Sequence, residues 1–289
     1  MQQLDFDYAI YATLIDGFSD YINSDVVWEQ YWGFSEHPPH TPEEFHEQKF
    51  KDFIDRINRV PFDSEAADKG TAFNELVDAL IEKRGPSDGF KFEKIVEPDV
   101  KTIVTGQVDN CEPGERWADV QYENNPNAGK VVAIKVLYRE REFTFDIRLV
   151  KEFSNYYKGA LTQQFVEAIL PTKYGNVRLY GFIDELMPLS THDIKTTGRY
   201  SVGKFKDHAQ HLVYPYCLLQ NGMDIRDFEY NVAVLDKYGR WETFTEHYAF
   251  VPERDIPILT AKVEALIEFL NENRELITDK KIAPIWDNE

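Results

Sequence analysis

The chain has 289 residues, with 32 basic and 51 acidic side chains and a formal net charge of −19. Hydrophobic residues make up 43% and aromatics 14%, enough for a substantial core, which excludes a disordered chain. No apolar run reaches membrane-span length, the first residues lack a signal peptide's basic and apolar stretches, and the acidity argues against a general nucleic-acid binder.

A cytoplasmic protein of a prokaryote or a phage is the expectation, without membrane contact. Cys111 and Cys217 are far apart and form no Cys-x-x-Cys pair, so neither a zinc site nor a disulfide framework is expected.

Residues 4–35 read as helical, with Tyr8, Tyr11, Leu14, Ile15 and Phe18 near helical spacing. Prolines 38, 39 and 42 mark a break. Thr41 then caps a helix with Pro42 in its first position, running towards Ile57. His37, His40 and His46 have no metal-site spacing and read as solvated. A second helix follows Gly70, with Phe73, Leu76, Val77, Leu80 and Ile81 as its buried stripe.

Residues 90–150 look β-rich, with strands predicted at Lys101–Val108 and Val131–Leu137. Glu142–Leu149 alternates, placing Phe143, Phe145, Ile147 and Leu149 on one face. The polar stretch Asn110–Lys130 reads as a surface excursion. Asn155–Ile169 reads as a helix that buries Tyr157, Leu161, Phe165, Ala168 and Ile169.

After Pro171 and Gly175 comes the part that carries chemistry. Gly181-Phe182-Ile183-Asp184 is followed, eight residues on, by Asp193-Ile194-Lys195. Strand period two puts Asp193 and Lys195 on one side and Ile194 on the other. A hairpin would bring Asp184 beside them. Two acids hold a hard divalent cation through oxygen, and the ion activates water and polarises a phosphodiester.

Lys204–Asn221 reads as a helix with Gln210 and Tyr214 on one face, four residues apart, and with a kink expected at Pro215. His192, His208 and His211 flank these positions and read as groove-lining or surface residues. Basic residues dominate locally: Lys195, Arg199, Lys204 and Lys206 follow one another with no acid between, a set suited to phosphate contacts. Strands at Phe228–Leu235 and Trp241–Val251, and a final helix at Glu253–Ile277, complete the pattern.

In order and spacing, Gly181-Phe-Ile-Asp184, Asp193-Ile-Lys195 and Gln210-His-Leu-Val-Tyr214 resemble the PD-(D/E)XK nuclease superfamily, nearest its RecB-like and phage lambda-exonuclease-like branches. The likeness covers roughly residues 177–220. It implies an α+β fold, a central mixed β-sheet flanked by helices with a restriction-endonuclease-like core. On that reading residues 1–289 form one domain: a helical extension at 1–62, a β-rich insertion at 86–140, and core sheet and helices at 141–277.

The resemblance implies a metal-dependent deoxyribonuclease, of exonuclease type in recombination or repair. The alternative is a catalytically impaired module that binds DNA ends or proteins. Asp184, Asp193 and the main-chain carbonyl of Ile194 would hold Mg²⁺ or Mn²⁺. Lys195 would orient the attacking water or offset developing charge. Gln210 and Tyr214 would support Lys195 or the substrate backbone, with Thr196, Thr197, Arg199 and Lys204 on phosphates.

The family's Gly-Thr-x-x-His helix finds a counterpart in Gly70-Thr71-Ala72-Phe73-Asn74, with Asn74 at the histidine position. A third ligand therefore stays open between Glu75, Asp78 and the neutral oxygen of Asn74. The iron–sulfur cluster of some relatives needs four cysteines, which this chain lacks. DNA is the implied partner, with a recombination or single-strand-binding protein and a homo-oligomeric ring as family-level options.

Overall fold

The computed structural model describes residues 5–105, 119–236 and 239–288. The protein is mixed α/β with a mixed central sheet flanked by helices, in line with the α+β expectation. Its chain divides into two compact units, Met1–Ser64 with Gly159–Leu235 and Glu242–Glu289, and Glu65–Lys158 with Asp236–Trp241.

The first unit opens with strand β1 (Tyr8–Tyr11), helices α1 (Ala12–Ile22), α2 (Ser24–Trp32) and α3 (Pro42–Ile57). The N-terminal stretch is thus not helical throughout, because Tyr8, Ala9 and Ile10 form a buried strand of the sheet. Thr41 caps α3 as expected: its hydroxyl accepts from the Glu44 N–H, and Glu44 accepts from the Thr41 N–H in return. The unit continues with β7 (Leu161–Thr172), β8 (Gly175–Leu186), β9 (Ser190–Thr197), α6 (Gln210–Gln220), β10 (Asp227–Leu235), β11 (Trp241–Ala249) and α7 (Pro252–Glu272).

These strands form a six-stranded sheet in the order β1-β8-β9-β10-β11, with β7 also paired to β8. One strand governs the arrangement. β7 runs antiparallel along β8, from Leu161 opposite Leu186 to Thr172 opposite Gly175, and so occupies one edge. The other edge is shared. β1 pairs parallel with Val177–Tyr180, and β9 pairs antiparallel with Glu185 and Leu186. Residues 181–184 lie in the fork between these partners.

Helices α1, α6 and α7 pack on the sheet through Leu14, Ile15, Val213, Leu218, Val263 and Leu266, all with negligible exposure. Truncating one such side chain to alanine costs about 2–5 kcal/mol.

The second unit holds α4 (Glu65–Glu82), β2 (Phe90–Val96), β3 (Val100–Thr105), β4 (Asp119–Asn124), β5 (Val131–Tyr138), β6 (Arg141–Asp146) and α5 (Ile147–Tyr156). Strands order β2-β5-β6, and β3 pairs with β4. Its centre is aromatic, with Phe73 5.2 Å from both Phe145 and Phe153 between ring centroids. On α4 the buried stripe is Ala72, Phe73, Leu76, Val77 and Ala79, and Leu80 is exposed.

Several predicted elements differ. The strand predicted at Glu142–Leu149 stops at Asp146, whose carboxylate accepts the Arg148 N–H and starts α5. The helix predicted at Asn155–Ile169 is replaced by the end of α5 and by β7. Thr162, Val166, Ala168 and Leu170 alternate into the core, while Leu161 and Phe165 stand out at 57% and 46% exposure. The polar excursion at Asn110–Lys130 contains β4. Cys111 and residues 106–108 of the strand predicted at Lys101–Val108 lie outside the described residues.

Candidate active site

The Gly181–Asp184 segment occupies the β8 fork. Asp184 lies across from Asp193, one step beyond the last β8–β9 pair. The ladder stops there, and the Ile194 N–H donates to Asp184 Oδ2 at 2.9 Å rather than to a main-chain carbonyl. Opposite Asp184 on β7 stands Gln163, in the left-handed region at φ 48°. Its amide donates to Asp184 Oδ1 at 3.4 Å. A non-glycine residue held there marks local strain beside the carboxylate.

β9 delivers the other two groups. Lys195 Nζ lies 2.7 Å from Asp193 Oδ2, confirming that both side chains leave the same side of the strand. Gln210, the first residue of α6, clamps the pair. Its carbonyl accepts from Lys195 Nζ at 2.7 Å and its amide donates to Asp193 Oδ1. The same amide reaches Tyr214 Oη at 3.3 Å.

The Tyr214 ring explains Gly181. A Cβ at position 181 would lie 2.7 Å from Tyr214 Cε1, so only glycine lets α6 come this close to β8. The helix continues through Pro215 to Gln220.

A cavity of about 380 Å³ opens in the fork. It takes Tyr180, Phe182 and Asp184 from β8, and Asp193, Gln210 and Tyr214 from β9 and α6. The start of α1 and Arg59 complete its wall.

Charge in this cavity follows from burial. Desolvation disfavours the Lys195 ammonium, but Asp193, with Asp184 and Asp16 behind it, outweighs that and holds the pKa above the ordinary lysine value. Lys195 therefore stands as an ammonium beside Asp193. Burial raises the Tyr214 phenol far above its usual range, so it stays protonated.

Asp16 on α1 was not visible as a site residue in the sequence. Its carboxylate accepts the Ala209 N–H at 2.6 Å, fixing the turn that delivers Gln210, and lies 3.5 Å from His208 Nδ1. Burial pushes its pKa up to about 6. No motif spacing could have found it, because the contact joins positions 193 residues apart.

The other expected residues sit elsewhere. Lys204 Nζ donates to Thr197 Oγ1 at 2.8 Å and to the Arg199 carbonyl at 2.9 Å, a local cluster beyond the end of β9. Thr196 pairs with Ala233 in the sheet. His192 is a buried structural group rather than a groove or surface residue: Ser190, Asn231 and Glu229 surround its ring, and burial lowers its pKa. His211 stacks on Tyr248 at 4.4 Å, and burial takes its pKa down to about 4.

Asn74, Glu75 and Asp78 belong to α4 of the second unit. Glu75 is engaged there by Arg84, at 2.6 and 3.0 Å, and by the Ser87 N–H. Asp78 is buried.

A divalent ion fits the first unit's donor set in kind. Asp184 and Asp193 face one cavity with hard oxygen donors. Among the described residues no group of three or more His, Cys, Asp or Glu side chains is placed to hold an ion. Two carboxylates and a shell of water suit Mg²⁺, which keeps several waters and demands few protein ligands.

No family model matches the chain, and no curated protein does. A solved structure titled "Crystal structure of SSO0001" is similar over 47% of this chain at 12% identity, with a TM-score of 0.29. The chain spans 65% of that protein's length. A likeness this slight carries no argument about fold or function.

Proposed function

We propose that the protein is a Mg²⁺- or Mn²⁺-dependent deoxyribonuclease with a PD-(D/E)XK-type site, acting on DNA ends in recombination or repair. One observation carries this reading. Asp184 and Asp193 line one cavity, and Lys195 pairs with Asp193 beside it, the two held together by a single glutamine that touches both Asp193 and Lys195.

Asp184 and Asp193, with the Ile194 carbonyl, would hold the ion. When bound, it would lower the pKa of a water and polarise the scissile phosphate. The chain's own residues do the rest. Lys195 presents a compact positive charge where the pentavalent phosphate accumulates negative charge. Gln210 fixes that ammonium from behind, and Asp16 fixes Gln210 by anchoring the start of α6. Tyr214, kept protonated by burial, accepts from the Gln210 amide and takes no proton from water.

A second reading has its own support. With Glu75 held by Arg84, the fold could serve as a DNA-end or protein-interaction module with impaired catalysis. Thermal unfolding with and without Mn²⁺, beside cleavage of linear and circular DNA, separates the two. A competent site gains stability as the ion binds the folded state and cuts DNA. Stabilisation without cleavage selects the module, and neither effect defeats both readings.

A further inference from the structure

Beside the cavity, β8 and β7 present two exposed rings, Phe182 and Phe165, continuous with the half-buried rings of Tyr180 and Tyr11. Tyr180, Phe182 and Asp184 alternate along β8 on one face, and Phe165 stands opposite Phe182 on β7. Ring centroids lie 5.9 Å apart between Tyr11 and Tyr180, 6.4 Å between Tyr180 and Phe165, and 5.2 Å between Phe165 and Phe182.

Phe182 is 55% exposed and Phe165 46%. Contiguous exposed apolar surface on a sheet face marks an interaction site more often than scattered single residues do. This patch runs directly into the cavity, since Tyr11, Tyr180 and Phe182 also line it.

Two arginines, each paired with an acid, flank the same face. Arg59 lines the cavity, donates to Tyr180 Oη at 3.3 Å and is held through Nε by Asp279 at 2.6 Å. Its Nη1 makes no hydrogen bond among the described residues. Arg178, ion-paired with Glu167, lies 5.2 Å from the Tyr180 ring.

Resting on the nuclease reading, we propose that this face is a base-stacking platform and that the substrate is single-stranded DNA. Bases of an unpaired strand would lie on Phe182 and Phe165, with a backbone phosphate on Arg59, leading the strand to Asp184. An unpaired strand offers its base faces to such rings, whereas a duplex keeps them inside its own stack.

The test measures fluorescence anisotropy of a short labelled oligonucleotide in EDTA, with the full-length protein. Wild type is expected to bind the single strand more tightly than a blunt duplex of the same sequence. Phe182→Ala and Phe165→Ala should each weaken single-strand binding by about tenfold. Phe182→Trp should restore it. An abasic strand should bind as weakly to wild type as to Phe182→Ala. Arg59→Ala should reduce the salt slope by about one ion.

Equal or tighter duplex binding overturns the proposal. So does an unchanged single-strand affinity in Phe182→Ala that melts like wild type. Parallel cleavage assays in Mn²⁺ keep the two readings apart. Strand-selective binding without cleavage sinks the nuclease and keeps the platform. Cleavage indifferent to Phe182 and to strandedness sinks the platform alone.

Discussion

Two sets of carboxylates, Glu75 with Asp68 in the second unit and Asp184 with Asp193 in the first, are engaged differently. In the second unit, Glu75 meets the guanidinium of Arg84 through both oxygens, and Asp68 meets Arg141 and Arg139. Burial pushes Glu75 up, but Arg84 and Ser87 outweigh it and hold the carboxyl below its usual range. A planar guanidinium covers a carboxylate bidentately and leaves little of it for anything else. In the first unit, Asp184 meets a main-chain N–H and an amide, and Asp193 meets an amide and the point charge of Lys195. Guanidinium groups cover the carboxylates in one place, whereas amides, a main-chain N–H and one ammonium meet them in the other.

The largest effect should separate these sets outright. Asp184→Asn is expected to remove the Mn²⁺-dependent rise in melting temperature and to cut DNA cleavage by on the order of 10³-fold, the loss of a metal's charge stabilisation. Glu75→Gln should do the reverse, lowering the melting temperature while cleavage per folded molecule stays. If Glu75→Gln abolishes cleavage in a folded protein, α4 does supply a ligand and the contrast fails.

Lys195→Ala comes next. Both acids remain, so the Mn²⁺ shift should persist while kcat falls by about 10²–10³-fold, as for loss of one preorganised donor to developing charge. Retention of full Mn²⁺-dependent cleavage would remove Lys195 from the mechanism.

The sequence carried the local half of this arrangement. Asp193 and Lys195 share a side because strands have period two, Gln210 and Tyr214 share a helix face, and Thr41 with Glu44 spells a capping box. What it hid was longer in range or ambiguous in period. Leu161, Phe165, Ala168 and Ile169 fall at helical spacing, so β7 looked like a helix, and its polar Thr162 obscured the alternation.

That misreading also buried Phe165, the ring that stands exposed beside the cavity. The fork in β8 depends on β1, which the aromatic run at the N-terminus disguised. Asp16 meets Ala209 across most of the chain, beyond the reach of any spacing rule.

Asp68→Asn should be felt in stability alone. Breaking a buried, charge-paired carboxylate costs about 3 kcal/mol. Urea unfolding should show that loss with an unchanged Mn²⁺ shift. A lost shift would mean that the two sets of acids are coupled.

Two glycines make a smaller contrast. Gly181→Ala would drive a Cβ into Tyr214, whereas a Cβ at Gly85, in the second unit, meets no atom within 4 Å. Gly181→Ala should cost about 1–3 kcal/mol and reduce cleavage by displacing α6. Gly85→Ala should be neutral or stabilising by about 0.5 kcal/mol. Equal melting temperatures for the two variants would show that Tyr214 has room to yield.

The least conspicuous difference lies in pH dependence, and Asp16 sets its sign. Its folded pKa of about 6 stands above the usual carboxylate value because burial disfavours the charge. Between those values the folded state holds the proton more tightly than the unfolded chain does. Asp16 therefore adds stability that is fully present below the unfolded pKa and is lost as pH rises through about 6. His208, 3.5 Å away, runs the other way. Burial takes it down to about 4, so its contribution stands above the unfolded value and disappears as pH falls through about 4.

The two slopes oppose each other over much the same interval and flatten the wild-type profile. Asp16→Asn should unmask the histidine. Relative to that variant, wild type should gain about 2 kcal/mol as pH drops from 7 to 4. Glu75→Gln should move in the opposite sense, since Glu75 is held below its usual value and its contribution is lost as pH falls. Urea titrations at a series of pH values check both signs. Parallel profiles for the two variants would show that burial does not distinguish the acid beside the cavity from the one closed by arginine.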